Sequence, residues 1–134
     1  MNINKIKEYF NLAGKGILNF KSVFRGIVND VKLSHGTLPE DIQEEIIRRR
    51  LICNACPFNN NNAKTSEEFK NINNGQTYKD LAERQDLHCA VCHCNVNYKT
   101  ASLIEKCGLS YYNDLNPNNK QPLKWVEYKS QTNV

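Results

Sequence analysis

The chain has no apolar run approaching the ~20 residues that a membrane-spanning helix needs, so no transmembrane segment is expected. It also lacks the apolar h-region of a signal peptide. Lys5, Lys7, Glu8, Asn11 and Lys15 interrupt Met1 to Phe20, so secretion by that route is not expected. Hydrophobic residues are scarce at 40%, with a single Trp and a single Met. A chain of 134 residues can enclose one domain, or a small domain with an appendage, but this one has little apolar material for a core. Six Gly and four Pro are too few for a collagen-like or Pro-rich chain, and 24% charge is too moderate for wholesale disorder.

Asparagine is abundant, at twenty residues, which makes the chain polar and turn-prone. Six cysteines are also present. In a chain expected in a reducing compartment they read as metal ligands rather than disulfides. The charge is uneven. Residues 1–33 carry six basic side chains against two acidic ones, whereas residues 34–134 carry twelve of each, so the net +4 belongs to the N-terminal segment.

That segment has the cleanest periodicity. Ile3, Ile6, Phe10, Ala13, Ile17, Phe20, Phe24, Ile27 and Val31 alternate in steps of three and four. This heptad stripe predicts an amphipathic helical arm over residues 1–36. Gly14, Gly16 and Gly26 weaken it by about 1 kcal/mol each, and a break near Gly14 to Gly16 would give two shorter helices. The stripe suits packing on the chain's own core. It also suits docking to a protein partner or a second copy, with Ile3, Ile6, Phe10, Ile17, Phe20, Phe24 and Ile27 as the contact residues. With its basic side chains it suits peripheral contact with an anionic membrane as well.

Residues 37–134 form the second unit. Thr37-Leu38-Pro39-Glu40 reads as a capping box opening a helix from Leu38 to Leu51, acidic first and ending in Arg48, Arg49 and Arg50 as a solvated end that suits the helix dipole. The chain then enters Cys53-Asn54-Ala55-Cys56-Pro57. A helical insertion follows at about 59–86. Asn59 to Asn62 reads as a loop, 65–72 and 77–87 as short helices, and Asn73-Asn74-Gly75 as the turn between them. Cys89-Ala90-Val91-Cys92-His93-Cys94 comes next, and Cys107 follows after twelve intervening residues. The stretch from Cys107 to Asn119 reads as loop, and Leu123 to Tyr128 alternates like one short strand.

Two thiolates two residues apart can grip one ion from a single tight turn, and two such turns complete a tetrahedron of sulfurs. Closing the 32-residue connection between the pairs costs about 3 kcal/mol of chain entropy. A structural Zn²⁺ contributes roughly 10–16 kcal/mol in small metal-dependent domains, so the ion outweighs the closure. The first choice of ligands is Cys53, Cys56, Cys89 and Cys92, with Cys107 able to replace a member of the second pair. Cys94, one residue from Cys92, is poorly spaced for the same ion and suits a second site or the core. One zinc is the first reading; two ions would need His88 and His93 beside the six cysteines. Otherwise those histidines are ordinary polar residues, and His35 belongs to a turn. An iron–sulfur cluster is the competing metal reading. No βαβ pattern supports a thioredoxin-type pair, and no His-x-Glu precedes either Cys pair as in a zinc deaminase, so no enzyme is expected.

Arg48, Cys53-x-x-Cys56-Pro57, Cys89-x-x-Cys92-x-Cys94, Lys99, Cys107 and Lys124-Trp125 together resemble a group of small six-cysteine zinc-knuckle proteins common in tailed-bacteriophage genomes. The likeness runs in order along nearly the whole chain. It departs at His93, where the pattern has Gly, at Gly108, where it has Pro, and in the long insertion. The resemblance implies zinc binding and a phage origin, placing the protein in the virion or the host cytoplasm, and brings no assigned activity. The expected fold is α+β, mostly α: the helical arm followed by a small zinc-stabilised, ribbon-like module with one or two short hairpins. The expected function is that of a structural protein docking through its arm onto a virion, portal or tail complex. The alternative is a small zinc-knuckle regulator that binds nucleic acid, against which stands the neutral charge of the cysteine-bearing part.

Overall fold

The computed structural model describes residues 20–79 and 84–128, with the side chains of its first helix described from Phe24 onward. Among these residues the fold is almost wholly helical. α1 runs Phe20–Ser34, α2 Glu40–Ala55, α3 Asn60–Ala63, α4 Glu67–Ile72, α5 Val96–Ala101 and α6 Leu109–Leu115. The expected hairpins reduce to two isolated antiparallel bridges, Asn59 with Cys89 and His88 with Asn95.

The expected strand at 123–128 does not form. Its alternation is real, because Trp125 is buried and Lys124 and Val126 are exposed, but among the described residues no neighbouring strand offers a ladder. Its backbone bonds go elsewhere: the Trp125 carbonyl accepts from Cys107 N at 3.1 Å, and Tyr128 N donates to the Leu103 carbonyl at 2.9 Å.

α2 begins later and ends later than the capping box implies. Pro39 stands at its N-cap and no side chain caps it. Thr37 is committed to the preceding helix, its backbone N–H and hydroxyl both donating to the Lys32 carbonyl at 3.0 and 3.2 Å. Because α2 continues to Ala55, the arginine triplet lies inside it rather than at a solvated end. Arg48 pairs with Glu45 at 2.8 Å and Arg50 with Asp30 at 2.7 Å. Arg49 has no exposed surface at all.

Asparagine supplies much of the local structure. Asn59 and Asn95 cap α3 and α5 by accepting from Asn62 N and Tyr98 N. Ser66, one residue past the expected Thr65, caps α4. The turn at Asn73-Asn74-Gly75 forms, with Asn74 and Gly75 both at positive φ. Of the helix expected at 77–87, residues 77–79 and 84–87 are not helical and the rest lie outside the described residues. α3 and α6 replace stretches expected to be loops. The core gathers Phe58, Ala63, Phe69, Tyr78, Ala90, Cys107, Leu109 and Trp125.

α1 packs on α5, and α2 packs on α5 as well. The approach of α1 is close enough to need glycine. A Cβ on Gly26 would stand 1.9 Å from the Tyr98 carbonyl oxygen. Backbone cannot yield as a flexible side chain would. Gly26→Ala is therefore expected to destabilise the fold by about 2–3 kcal/mol, despite alanine's better helix propensity. A denaturation curve equal to or better than wild type would contradict this packing.

Candidate metal centre

Four separate stretches bring the cysteines together. α2 delivers Cys53, the turn after it Cys56, the 89–94 turn three more, and the approach to α6 Cys107. Cys53, Cys56, Cys89, Cys94 and Cys107 line one cavity of about 30 Å³, together with Phe58, Leu109 and Trp125. Cys92 is buried and does not itself line the cavity. A Cβ on Gly108 would lie 2.7 Å from the Cys92 sulfur and 2.9 Å from that of Cys89, so the absent side chain makes the room those two thiols occupy. All six cysteines are free thiols.

The sulfurs are met by N–H donors. Phe58 N donates to Cys56 Sγ and Val91 N to Cys89 Sγ, both at 3.4 Å, and the Trp125 indole donates to Cys53 Sγ at 3.3 Å. In each turn the donor is the residue two beyond the cysteine, an arrangement that favours the thiolate. The second turn needs a left-handed residue, and His93 supplies it at φ 64°. Its N–H closes the turn on the Cys89 carbonyl at 2.8 Å. The position that suits glycine on steric grounds is thus filled by one of the few other residues that tolerate it.

Burial pushes the Cys53 thiol up to about 12 against the help of the Trp125 donor, and raises Cys56 against that of the Phe58 N–H. Cys92 is held low by hydrogen bonds from Cys89 and Cys94, whose own thiols are raised by sharing those protons. Lys99 stands beside this group. Burial opposes its charge, but Cys92, Cys94 and Glu105 outweigh that penalty and keep the ammonium protonated. It pairs with Glu105 at 2.7 Å. Lys124 also lines the cavity. A set of buried thiols with N–H donors and nearby ammonium groups has the chemistry of a thiolate site for a soft or borderline cation, which would displace their protons. As the side chains stand, no group of three or more His, Cys, Asp or Glu among the described residues is arranged to hold an ion. The donors share a cavity without closing round a point.

The histidines stand apart from the cavity lining. His88 is fully buried, its Nδ1 donating to the Asp86 carbonyl at 2.9 Å, which leaves Nε2 of the neutral ring to accept from the Tyr78 hydroxyl at 2.8 Å. His93 stacks loosely on Tyr78. His35 lies in the exposed turn after α1. Asp86 anchors the approach to the second cysteine turn. It meets Arg84 at 2.7 Å and accepts from the Asn95 amide at 2.9 Å. Burial works against its charge, yet Arg84 and Asn95 hold the carboxyl at about 2.

A depressed folded pKa means stability that is present above the unfolded value near 4 and lost as pH falls toward 2. Asp86→Asn is expected to cost about 2 kcal/mol at neutral pH, with the gap to wild type closing between about pH 4 and 2. Chemical denaturation of both proteins across that range checks it; a gap independent of pH would assign the loss to packing.

Of the proposed partner-contact residues, Ile3, Ile6, Phe10 and Ile17 lie outside the described residues. Phe20 opens α1, Phe24 is exposed and Ile27 half-buried. Arg49, buried beside the site over Trp125, carries no signal in the sequence, where a run of three arginines suits a solvated helix end equally well. Compared with protein-family models, with curated proteins and with solved structures, the chain has no match in any of the three.

Proposed function

We propose that this is a non-catalytic zinc-binding interaction protein. Its cysteine cluster holds one or two zinc ions as a structural clip, and its N-terminal helix docks that clip onto a larger assembly. The observation that carries the reading is the convergence of cysteines from four chain stretches on one cavity, with N–H donors on three of the sulfurs. Cys53, Cys56, Cys89, Cys92, Cys94 and Cys107 are the candidate ligands. Bound there, zinc would supply cross-linking of chain segments rather than a reactive water, as all-sulfur sites generally do. The resemblance to six-cysteine phage proteins is what suggests a virion, portal or tail complex as the assembly.

Native mass spectrometry of protein purified without added metal tests the reading. One or two zinc ions, released by chelator together with loss of the folded charge-state distribution, are expected. Iron with sulfide, or a mass showing paired oxidised cysteines, would overturn the zinc assignment. Single Cys→Ser variants in the same measurement assign the ligands.

A further inference from the structure

A second cavity, of about 360 Å³, has no part in the metal reading. The turn at 89–94 serves both spaces. Cys89 and Cys94 line the first, whereas Ala90, Val91 and His93 line the second. The insertion contributes Phe69 and Tyr78 to it, and α6 contributes Tyr112, so four rings border one space. Two of them hold each other in place. Phe69 and Tyr78 meet edge to face at 5.6 Å, and the Tyr78 hydroxyl is tied to His88 Nε2 at 2.8 Å. His93 lies within 29° of parallel to Tyr78, at 6.3 Å. It stands there under a small strain, because its φ of 64° is one that glycine adopts freely and a side chain does not. The turn is closed by the His93 backbone N–H on the Cys89 carbonyl, which glycine would supply equally well. That closure does not need the imidazole; on this cavity the imidazole adds a ring.

The rest of the lining is polar and close to solvent. Gln76 and Thr77 are exposed, and among the described residues nothing bonds the Gln76 amide or the Thr77 hydroxyl. Asn73 donates its Nδ2 to the Gln76 carbonyl at 3.1 Å, which leaves its Oδ1 to accept. No carboxylate is among the described lining residues, and Lys79 is the one ammonium. Asp80 follows it in the sequence, so no net sign of charge is assigned to the rim.

We propose that this cavity binds a nucleobase, held by its face against the rings of Tyr78, His93 and Tyr112 and read along its edge by Asn73, Gln76 and Thr77. The inference goes beyond the metal reading and does not depend on it. Aromatic faces beside amide and hydroxyl groups are the means by which proteins hold unpaired bases. A hydrocarbon occupant would cover those polar groups without pairing them. The volume falls within the roughly 300–1,000 Å³ of ordinary ligand pockets. A base stacked inside a duplex cannot enter such a space, so the occupant comes from a free nucleotide or from an unpaired stretch of nucleic acid.

The test uses the full-length protein as purified. Saturation-transfer NMR is run on adenosine and uridine monophosphates, and fluorescence anisotropy on a labelled single-stranded adenosine oligonucleotide. Saturation reaching the base protons more strongly than the ribose protons is expected. His93→Gly should weaken binding at least about fivefold, the low end of one base–aromatic stack, while the melting temperature stays at or above that of wild type. Gln76→Ala, at an exposed position, should weaken it too. Tyr111→Leu, exposed on α6 and outside the lining, should not. Unchanged binding in either of the first two variants, or an equal loss in the third, overturns the pocket. Binding of the oligonucleotide alone supports an unpaired strand as the source, and binding of the monophosphates alone a free nucleotide. Saturation of N-acetylphenylalanine amide with none of the nucleotides would replace the base with a protein side chain. No binding of any nucleotide probe overturns the inference, and the zinc count of the same preparation, read by native mass spectrometry, decides the metal reading separately.

Discussion

Replacing Arg49 by methionine is expected to lower stability by about 3–5 kcal/mol, with a fall in Tm of roughly 10 °C or more. Volume is nearly kept, so the loss measures the polar contacts. The guanidinium donates five hydrogen bonds: to Glu45 at 3.0 Å, to the carbonyls of Thr100 and Ser102 at 3.4 and 3.1 Å, and to those of Leu103 and Val126 at 3.5 and 3.0 Å. Its Cζ lies over the Trp125 ring, 4.6 Å from the ring centre. Burial works against its charge, and Glu45 offsets part of that penalty. Removing it takes a donor from four inward-facing carbonyls, of which those of Ser102 and Leu103 keep bonds from Glu105 N and Tyr128 N, and such a loss in a buried setting costs more than that of an exposed pair. Arg49→Lys should recover little, because an ammonium offers three donors from one point and cannot span both segments. A chemical-denaturation midpoint within error of wild type for Arg49→Met would falsify this account.

The second large effect concerns metal. Exposure to a strong chelator is expected to unfold the cysteine-bearing part, with circular dichroism losing helix and Trp125 fluorescence shifting to the red. A structural zinc contributes roughly 10–16 kcal/mol, more than the roughly 5–15 kcal/mol by which ordinary domains are stable. The apolar core around the cavity is small and cannot replace that contribution. Re-addition of zinc should restore the spectrum, and Cys53→Ser or Cys107→Ser should make it irrecoverable. Helical signal that persists after complete chelation would show that the packing described here suffices without an ion, and the zinc assignment would fall with it.

Long periodic stretches were legible in the sequence, and short polar ones were not. α1 and α2 follow from their apolar spacing, although their boundaries depend on which helix takes Thr37. α5 and α6 were missed because six or seven residues give no readable period. Their signals are tertiary or capping: Asn95 as a cap, Thr100 and Ala101 buried beneath α1 and α2. The 123–128 stretch shows that alternation reports burial on one side and nothing about whether a neighbouring strand exists. The cysteine grouping was readable because its spacing is chemical rather than conformational. Which face of α1 packs was not readable, because glycine at position 26 looks like a defect until Tyr98 is seen against it.

Asparagine forms turns here, and it also serves as an internal ligand to the backbone. Asn59 Nδ2 reaches the carbonyls of Cys53 and Asn54, and Asn62 reaches that of Cys56. Asn113 both donates to and accepts from Gln121. These side chains tie loops that have few apolar residues to bury, which is how a chain of this composition leaves no buried side-chain polar atom unsatisfied among the described residues.

The seal over the cysteine cavity comes from the far end of the described chain. Trp125 covers Cys53, and its carbonyl holds the Cys107 amide, while the Val126 carbonyl is reached by Arg49. During synthesis the first cysteine pair leaves the ribosome some seventy residues before that lid, since Trp125 lies 72 positions beyond Cys53. At the roughly 5–20 residues per second of translation, the early thiols spend several seconds without it. In that interval the two thiols stand without the indole donor and the apolar cover that Trp125 gives Cys53 in the folded chain.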